Sequence, residues 1–214
     1  TTSGTETDAA DNGNAWSNLS NVHTSNNTYA TCSVPASGTK VSNTVKFTNF
    51  GFSVPAGATI NGLTATVEGK ASTNTRLKDN NMQLLKAGTA TGTDKKDGTN
   101  FYTTSDVSRT YGGSADLWGA TLSASDVNAS NFGIQMSFIN SGSTTTMSLD
   151  YVALTIEYTA GNITVTLPSQ SMTATGQVSI SNLNSVLPVT TATLTLTAQT
   201  PLSLMNARVF PDPV

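Results

Sequence analysis

The sequence predicts an all-β protein: an antiparallel β-sandwich or jelly-roll-like domain followed by a small β-domain. Three observations carry that expectation. Apolar side chains recur at every second position in several short runs, which is the period of a half-buried strand. Only 11% of the 214 residues are charged, against roughly 25% in an average soluble domain, and Thr, Ser, Asn and Gly take their place. Thr is β-branched and suits a pleated surface, whereas Ser, Asn and Gly suit turns. Helix-like sequence is confined to one short stretch.

Taken in order, residues 1–14 hold no large apolar group and read as a flexible N-terminal arm. The sandwich domain, 15–159, begins with Trp16, Leu19 and Val22. Val41, Val45 and Phe47 mark a strand that continues through Asn49–Phe52 with a bend at Gly51. The turn Val54-Pro55-Ala56-Gly57 closes it. Ile60, Leu63, Ala65 and Val67 form a second strand, broken near Asn61-Gly62, and Asn80–Lys86 a third. A polar connection, Gly88–Asn100, leads to Phe101–Thr104, expected as a short edge strand, and to a turn at Tyr111-Gly112-Gly113.

Leu122–Asn128 predicts a turn or two of helix capped by Ser123 or Ser125. Phe132, Ile134, Met136 and Phe138 then alternate strictly. After a turn over Asn140–Thr145, the run from Met147 to Tyr158 is apolar on both faces, the mark of a central strand. Together 131–158 reads as a hairpin.

Thr159–Asn162 reads as a boundary, because the vocabulary changes beyond it: aromatics vanish until Phe210, and Arg208 and Asp212 are the remaining charges. A small β-domain is expected over 162–207, with strands at Ile163–Leu167, Met172–Ile180 and Val189–Ala198. Its size is near the lower limit for folding alone, so it is expected to lean on the first domain or on a neighbouring subunit. Residues 208–214, with Pro211 and Pro213, form an extended tail.

Charge narrows the function classes. The net charge is −3 and the basic residues do not cluster beyond Lys95-Lys96, so the footprint of a nucleic-acid binder is missing. No apolar run approaches the length of a membrane-spanning helix. One cysteine, Cys32, makes an intrachain disulfide impossible. The sequence starts Thr1-Thr2-Ser3 without Met or an apolar leader, which leaves a removed leader, a lost initiator Met and a longer parent protein as open alternatives.

The chemistry-bearing residues are few. His23 is the single histidine, and acid–base, nucleophilic and most transition-metal sites lean on His. Cys32 alternates with Ala30 and Val34 and reads as a buried, inert thiol. Asp94-Lys95-Lys96-Asp97-Gly98 resembles half a calcium loop but lacks its alternate oxygen ligands and distal Glu. The expectation is therefore no enzyme, no catalytic residues, no cofactor and no metal. Trp16, Tyr102 and Tyr111 are candidate glycan or partner contacts, since an aromatic ring offers an apolar face with a polar rim. Trp118 reads as core, and Asp150, set in an apolar strand, requires a hydrogen-bond partner or a solvent-facing edge.

One set of segments goes beyond composition. Phe50-Gly51-Phe52-Ser53-Val54-Pro55-Ala56-Gly57-Ala58-Thr59-Ile60-Asn61-Gly62 is followed by Tyr111-Gly112-Gly113, Asp116-Leu117-Trp118-Gly119 and Ser125-Asp126-Val127-Asn128. Asn131-Phe132-Gly133 and Leu149-Asp150-Tyr151-Val152 complete the series. In this order they resemble a β-sandwich module of tailed-bacteriophage structural proteins that also recurs in bacterial surface proteins. The resemblance covers roughly residues 40–158. It implies a structural component of the virion surface, such as a capsid decoration, fibre or tail protein. Such a component assembles with itself, a trimer being favoured, and with other virion proteins. The alternative is a bacterial extracellular adhesin or carbohydrate-binding module, secreted or on the cell surface.

Overall fold

A computed structural model describes residues 1–161, 163–166 and 193–196. The chain divides into two units, Thr1–Thr159 and Ala160–Val214.

The first unit is a sandwich of two five-stranded antiparallel sheets. The first sheet runs β2 (Trp16–Ser17), β3 (Ala30–Val34), β10 (Thr145–Thr159), β5 (Thr59–Ala71), β8 (Val107–Gly113). The second runs β1 (Thr5–Asp8), β4 (Val45–Thr48), β9 (Gly133–Asn140), β6 (Leu77–Lys86), β7 (Thr89–Thr91). From β3 to β10 nearly every connection crosses from one sheet to the other, and only β6–β7 turns back within its own sheet. That order, β3-β10-β5-β8 facing β4-β9-β6-β7, is the eight-stranded jelly roll. The all-β expectation therefore holds in its more specific form.

The alternation read from the sequence builds the core. Phe132, Ile134, Met136 and Phe138 are all buried, as are Leu63, Ala65 and Val67 of β5. β10 lies between β3 and β5, and Met147, Leu149, Val152 and Leu154 are fully buried, as a central strand requires. Burying one such side chain contributes about 1.5–3 kcal/mol relative to leaving it in water. The short helix α1 (Ala124–Asn128) starts at Ser123. The Ser123 hydroxyl accepts from the Asp126 N–H, and the Asp126 carboxylate accepts from the Ser123 N–H, which closes a capping box.

Four local expectations are corrected. Residues 1–14 are not a free arm: Thr5–Asp8 pairs with Val45–Thr48, and Thr1 exchanges backbone hydrogen bonds with Leu154. Polar side chains suffice there because an edge strand needs backbone partners more than a buried face. Residues 131–158 do not form a hairpin. β9 and β10 lie in opposite sheets, joined by a turn in which the Asn140 amide donates to the Val34 and Ser143 carbonyls. Phe101–Thr104 is not a strand, although Tyr102 N–H reaches the Leu77 carbonyl and the Thr103 carbonyl accepts from Ala71. Tyr111-Gly112-Gly113 is the end of β8 rather than a turn.

The second unit contains β11 (Ile163–Thr166) paired antiparallel with β12 (Thr193–Leu196). These fall within two of the three strands expected there. The strand over Met172–Ile180 and the tail 208–214 lie outside the described residues.

Candidate functional site

The long connection from β7 to β8 carries the chain from the edge of one sheet to the edge of the other. Its backbone is held throughout. Thr93 N–H donates to the Trp118 carbonyl at 2.6 Å, and Lys95 N–H to the Met82 carbonyl at 2.7 Å. Asp94 returns a carboxylate oxygen to Met82 N–H at 2.9 Å. Between this strap and β8 lies an open groove of about 400 Å³, lined by Lys95, Lys96, Asp97, Arg109, Thr110, Tyr111 and Gly112.

Behind the groove sits a buried polar cluster. Asp79, on β6 of the second sheet, is almost wholly buried and accepts three hydrogen bonds. The Tyr111 hydroxyl donates to Oδ2 at 2.8 Å, Asp97 N–H donates to the same oxygen at 2.9 Å, and Arg109 Nη1 donates to Oδ1 at 3.4 Å. Arg109 also donates to the Asn100 carbonyl at 3.0 Å and lies 3.8 Å from the centre of the Tyr102 ring. Burial pushes the Asp79 carboxyl above its ordinary range, opposed by the Asp97 N–H, the Tyr111 hydroxyl and the Arg109 charge. Burial likewise raises the Tyr111 phenol, with the Asp79 charge adding to it.

The three cations that line the groove are each paired with a carboxylate, of which Asp97 alone is also in the lining. Lys95 Nζ is 2.8 Å from Asp116, Lys96 Nζ 3.3 Å from Asp94, and Arg109 Nη1 4.0 Å from Asp97. Asp97 is bound into its own turn by the Asn100 and Thr99 N–H groups and the Asn100 side chain. The Asn100 N–H, first among these donors, holds the carboxyl below the usual aspartate range.

The residues named from sequence fall differently from expectation. Trp16 is buried; its indole N–H donates to the Asn43 carbonyl at 2.9 Å and its ring meets Phe138 edge to face. Tyr102 is fully buried beneath Arg109. Tyr111 is 5% exposed and floors the groove, with its hydroxyl spent on Asp79. None of the three offers an open ring face, because burying a large ring outweighs leaving it in water unless something else covers it. The sugar-stacking platform is thus absent at these positions, and Tyr111 alone reaches a candidate site.

Other expectations fare better. Trp118 is core. Asp150 is buried and accepts from the Asn26 and Asn27 N–H groups at 3.3 and 3.0 Å. Cys32 is buried, and burial, helped by the Asp8 charge, pushes its thiol up to about 12. His23 lies at the surface, 2.8 Å from Glu6.

From sequence Asp79-Asn80-Asn81 reads either as a source of oxygen ligands or as a turn, whereas Asp79 lies buried in β6; Arg109 carries no sequence expectation. The sequence signal is partial: Leu77, two positions before Asp79, points inward, but the next inward residue, Met82, is three positions on, across the register shift between Asp79 and Asn81. A row of amides on the outer face of the second sheet was also missed. Gln135 donates to Asn81 at 3.1 Å and Asn81 donates to Gln83 at 2.8 Å.

No protein-family model matches the chain, and no curated protein does. Two solved structures are similar to it. One is described as CBM4; it is 22% identical, with 63% of this chain and 87% of that chain covered and a TM-score of 0.39. The other is the N-terminal cellulose-binding domain of Cellulomonas fimi β-1,4-glucanase C. It is 21% identical, with 60% and 78% covered and a TM-score of 0.35. Neither is described as a virion component. The jelly roll described above stands on this chain's own strand pairing.

Proposed function

We propose that this chain is a non-catalytic carbohydrate-binding module acting outside the cell, with the groove along β8 as its sugar site. The observation that carries this is that every cation lining the groove is paired with a carboxylate, Arg109 with Asp97 inside the groove and the two lysines with Asp116 and Asp94 beyond its lining. Lys95 with Asp116, Lys96 with Asp94 and Arg109 with Asp97 each set a donor beside an acceptor. A sugar hydroxyl both donates and accepts, so neighbouring hydroxyls can accept from Lys95 and Lys96 and donate to Asp97, the carboxylate that lines the groove. The groove volume lies within the roughly 300–1,000 Å³ of small-molecule sites. The two lysine pairs are partly exposed, and such pairs contribute only about 0–1 kcal/mol, so little is lost when a ligand rearranges them. With each cation facing a carboxylate, the ligand this groove suits is uncharged, and its binding responds little to salt.

Affinity electrophoresis against a panel of soluble neutral and acidic polysaccharides tests this. Retention by a neutral polysaccharide is expected, unchanged between low and high salt. It should weaken about tenfold or more in Lys96→Ala, which loses one charged hydrogen bond. Retention by none of them overturns the proposal.

A second proposal keeps the virion-surface role, with other copies of the chain as partner. It is favoured by an apolar groove of about 310 Å³ beside Thr1, lined by Phe52, Val54, Leu154, Ile156 and Tyr158 along the outer edge of β10. Apolar lining next to a strand edge is a common protein-binding surface. Mass in solution decides: a trimer favours it, and a monomer over the micromolar range counts against it.

A further inference from the structure

We infer that Asp79 is the positioning residue of the β8 groove, fixing both of its walls without lining it. This rests on the sugar-site proposal for its ligand but stands on separate geometry. One wall is the strap, through Lys95, Lys96 and Asp97; the other is β8, through Arg109, Thr110, Tyr111 and Gly112. Asp79 belongs to neither, being on β6 of the opposite sheet at a register shift between Asp79 and Asn81. Its carboxylate nonetheless binds both, taking Asp97 N–H from the strap and the Tyr111 hydroxyl and Arg109 guanidinium from β8.

The charge matters as well as the shape. The groups that face Asp79 are Arg109 and Tyr111 from β8 and Asp97 from the strap, with Tyr102 closing the cluster through its 3.4 Å contact with the Tyr111 hydroxyl. Arg109 is the only cation among them. With Asp79 ionised, the guanidinium is held inward, over the Tyr102 ring and under the Asn100 carbonyl. With Asp79 neutral, the nearest remaining charge for Arg109 is Asp97, 4.0 Å away on the groove wall. The guanidinium then shifts toward Asp97 and takes up the couple that a ligand would engage. Burial of the carboxyl brings this change closer to neutral pH than an exposed aspartate would.

Asp79→Asn and Asp79→Ala test the assignment, with Val22→Ala as a control that loosens the fold far from the groove. Hydrogen exchange comes first because it needs no ligand. Asp97 N–H and the amides of Arg109–Gly112 should exchange at least tenfold faster in Asp79→Asn, but not in the control. Protection equal to wild type there overturns the inference whether or not a sugar binds. Affinity for the retained neutral polysaccharide is then followed with pH. Wild type should lose affinity as pH falls through the titration of Asp79, while Asp79→Asn binds about tenfold more weakly with that step gone. A variant with wild-type affinity and an unchanged pH profile overturns it too. If wild type binds no polysaccharide, the sugar-site proposal fails alone and the exchange result still decides for Asp79.

Discussion

The indole Nε1 of Trp118 donates to the backbone carbonyl of Leu63 at 3.0 Å, through a gap that Gly112 leaves open. Trp118 has φ 55°, an uncommon conformation for a bulky residue, and its carbonyl receives the Thr93 N–H at the start of the strap. A Cβ on Gly112, itself at φ +76°, would collide with both the Leu63 oxygen and the Trp118 indole nitrogen. Gly112→Ala should therefore destabilise the first unit by about 2 kcal/mol or more, from backbone strain and the displaced ring together. Urea denaturation followed by Trp fluorescence measures it, and a midpoint within error of wild type would contradict the clamp.

Cys32 should be chemically silent while the fold is intact. Its thiol is buried, donates to the Asn14 carbonyl, and has its pKa pushed to about 12, so thiolate is scarce at pH 8. A disulfide reagent at pH 8 should label less than a tenth of the protein in the time that labels it fully in urea. Equal rates in both would place the thiol at the surface.

The capping box of α1 makes an acid-sensitive contribution. The Ser123 hydroxyl, ahead of the Ser123 N–H and Lys86, holds the Asp126 carboxyl below its ordinary value of 3.8. The depressed folded value means that the contribution is complete above the unfolded pKa and is lost as pH falls through the folded one. Asp126→Asn should consequently cost stability at pH 7 and little at pH 2. Ser123→Ala should cost about 1 kcal/mol at pH 7. Urea midpoints at the two pH values check both.

Removing the Asp150 carboxylate should be costly out of proportion to its size. It leaves the Asn26 and Asn27 N–H groups without their acceptor in a part-buried loop. Asp150→Ala is expected to lose about 1–3 kcal/mol, whereas Asp150→Asn keeps one acceptor and loses less. Thermal melts of the pair show whether that order holds.

Much of this fold was legible in the sequence because burial imposes a period of two. The inward faces of β5, β9 and β10, the Trp118 core position, the Ser123 cap and the need of Asp150 for partners all follow from local rules. Alternation tells which face of a strand is inward, but not which sheet the strand joins. That is why β9 and β10 looked like a hairpin and are instead opposite walls. The site was harder to foresee. Tyr102 and Tyr111 stood out as aromatics, but their disposition depends on Asp79, whose side chain meets Tyr111 across 32 positions of sequence. Thr5–Asp8 escaped notice since its strand is made by backbone pairing with β4, which leaves no apolar trace.

The closing of the first sheet by its earliest and latest strands sets the order in which this domain is made. Thr1 bonds to Leu154 across 153 positions, and β3, paired on one side with the two-residue β2, finds its other neighbour in β10. On a ribosome, the side chains of β3 must wait unsheathed until Thr145 and its successors have left the exit tunnel. Such distant pairing makes for slow closure. A chain arrested before that point would expose the unmatched border of β5, a surface prone to pairing with other strands.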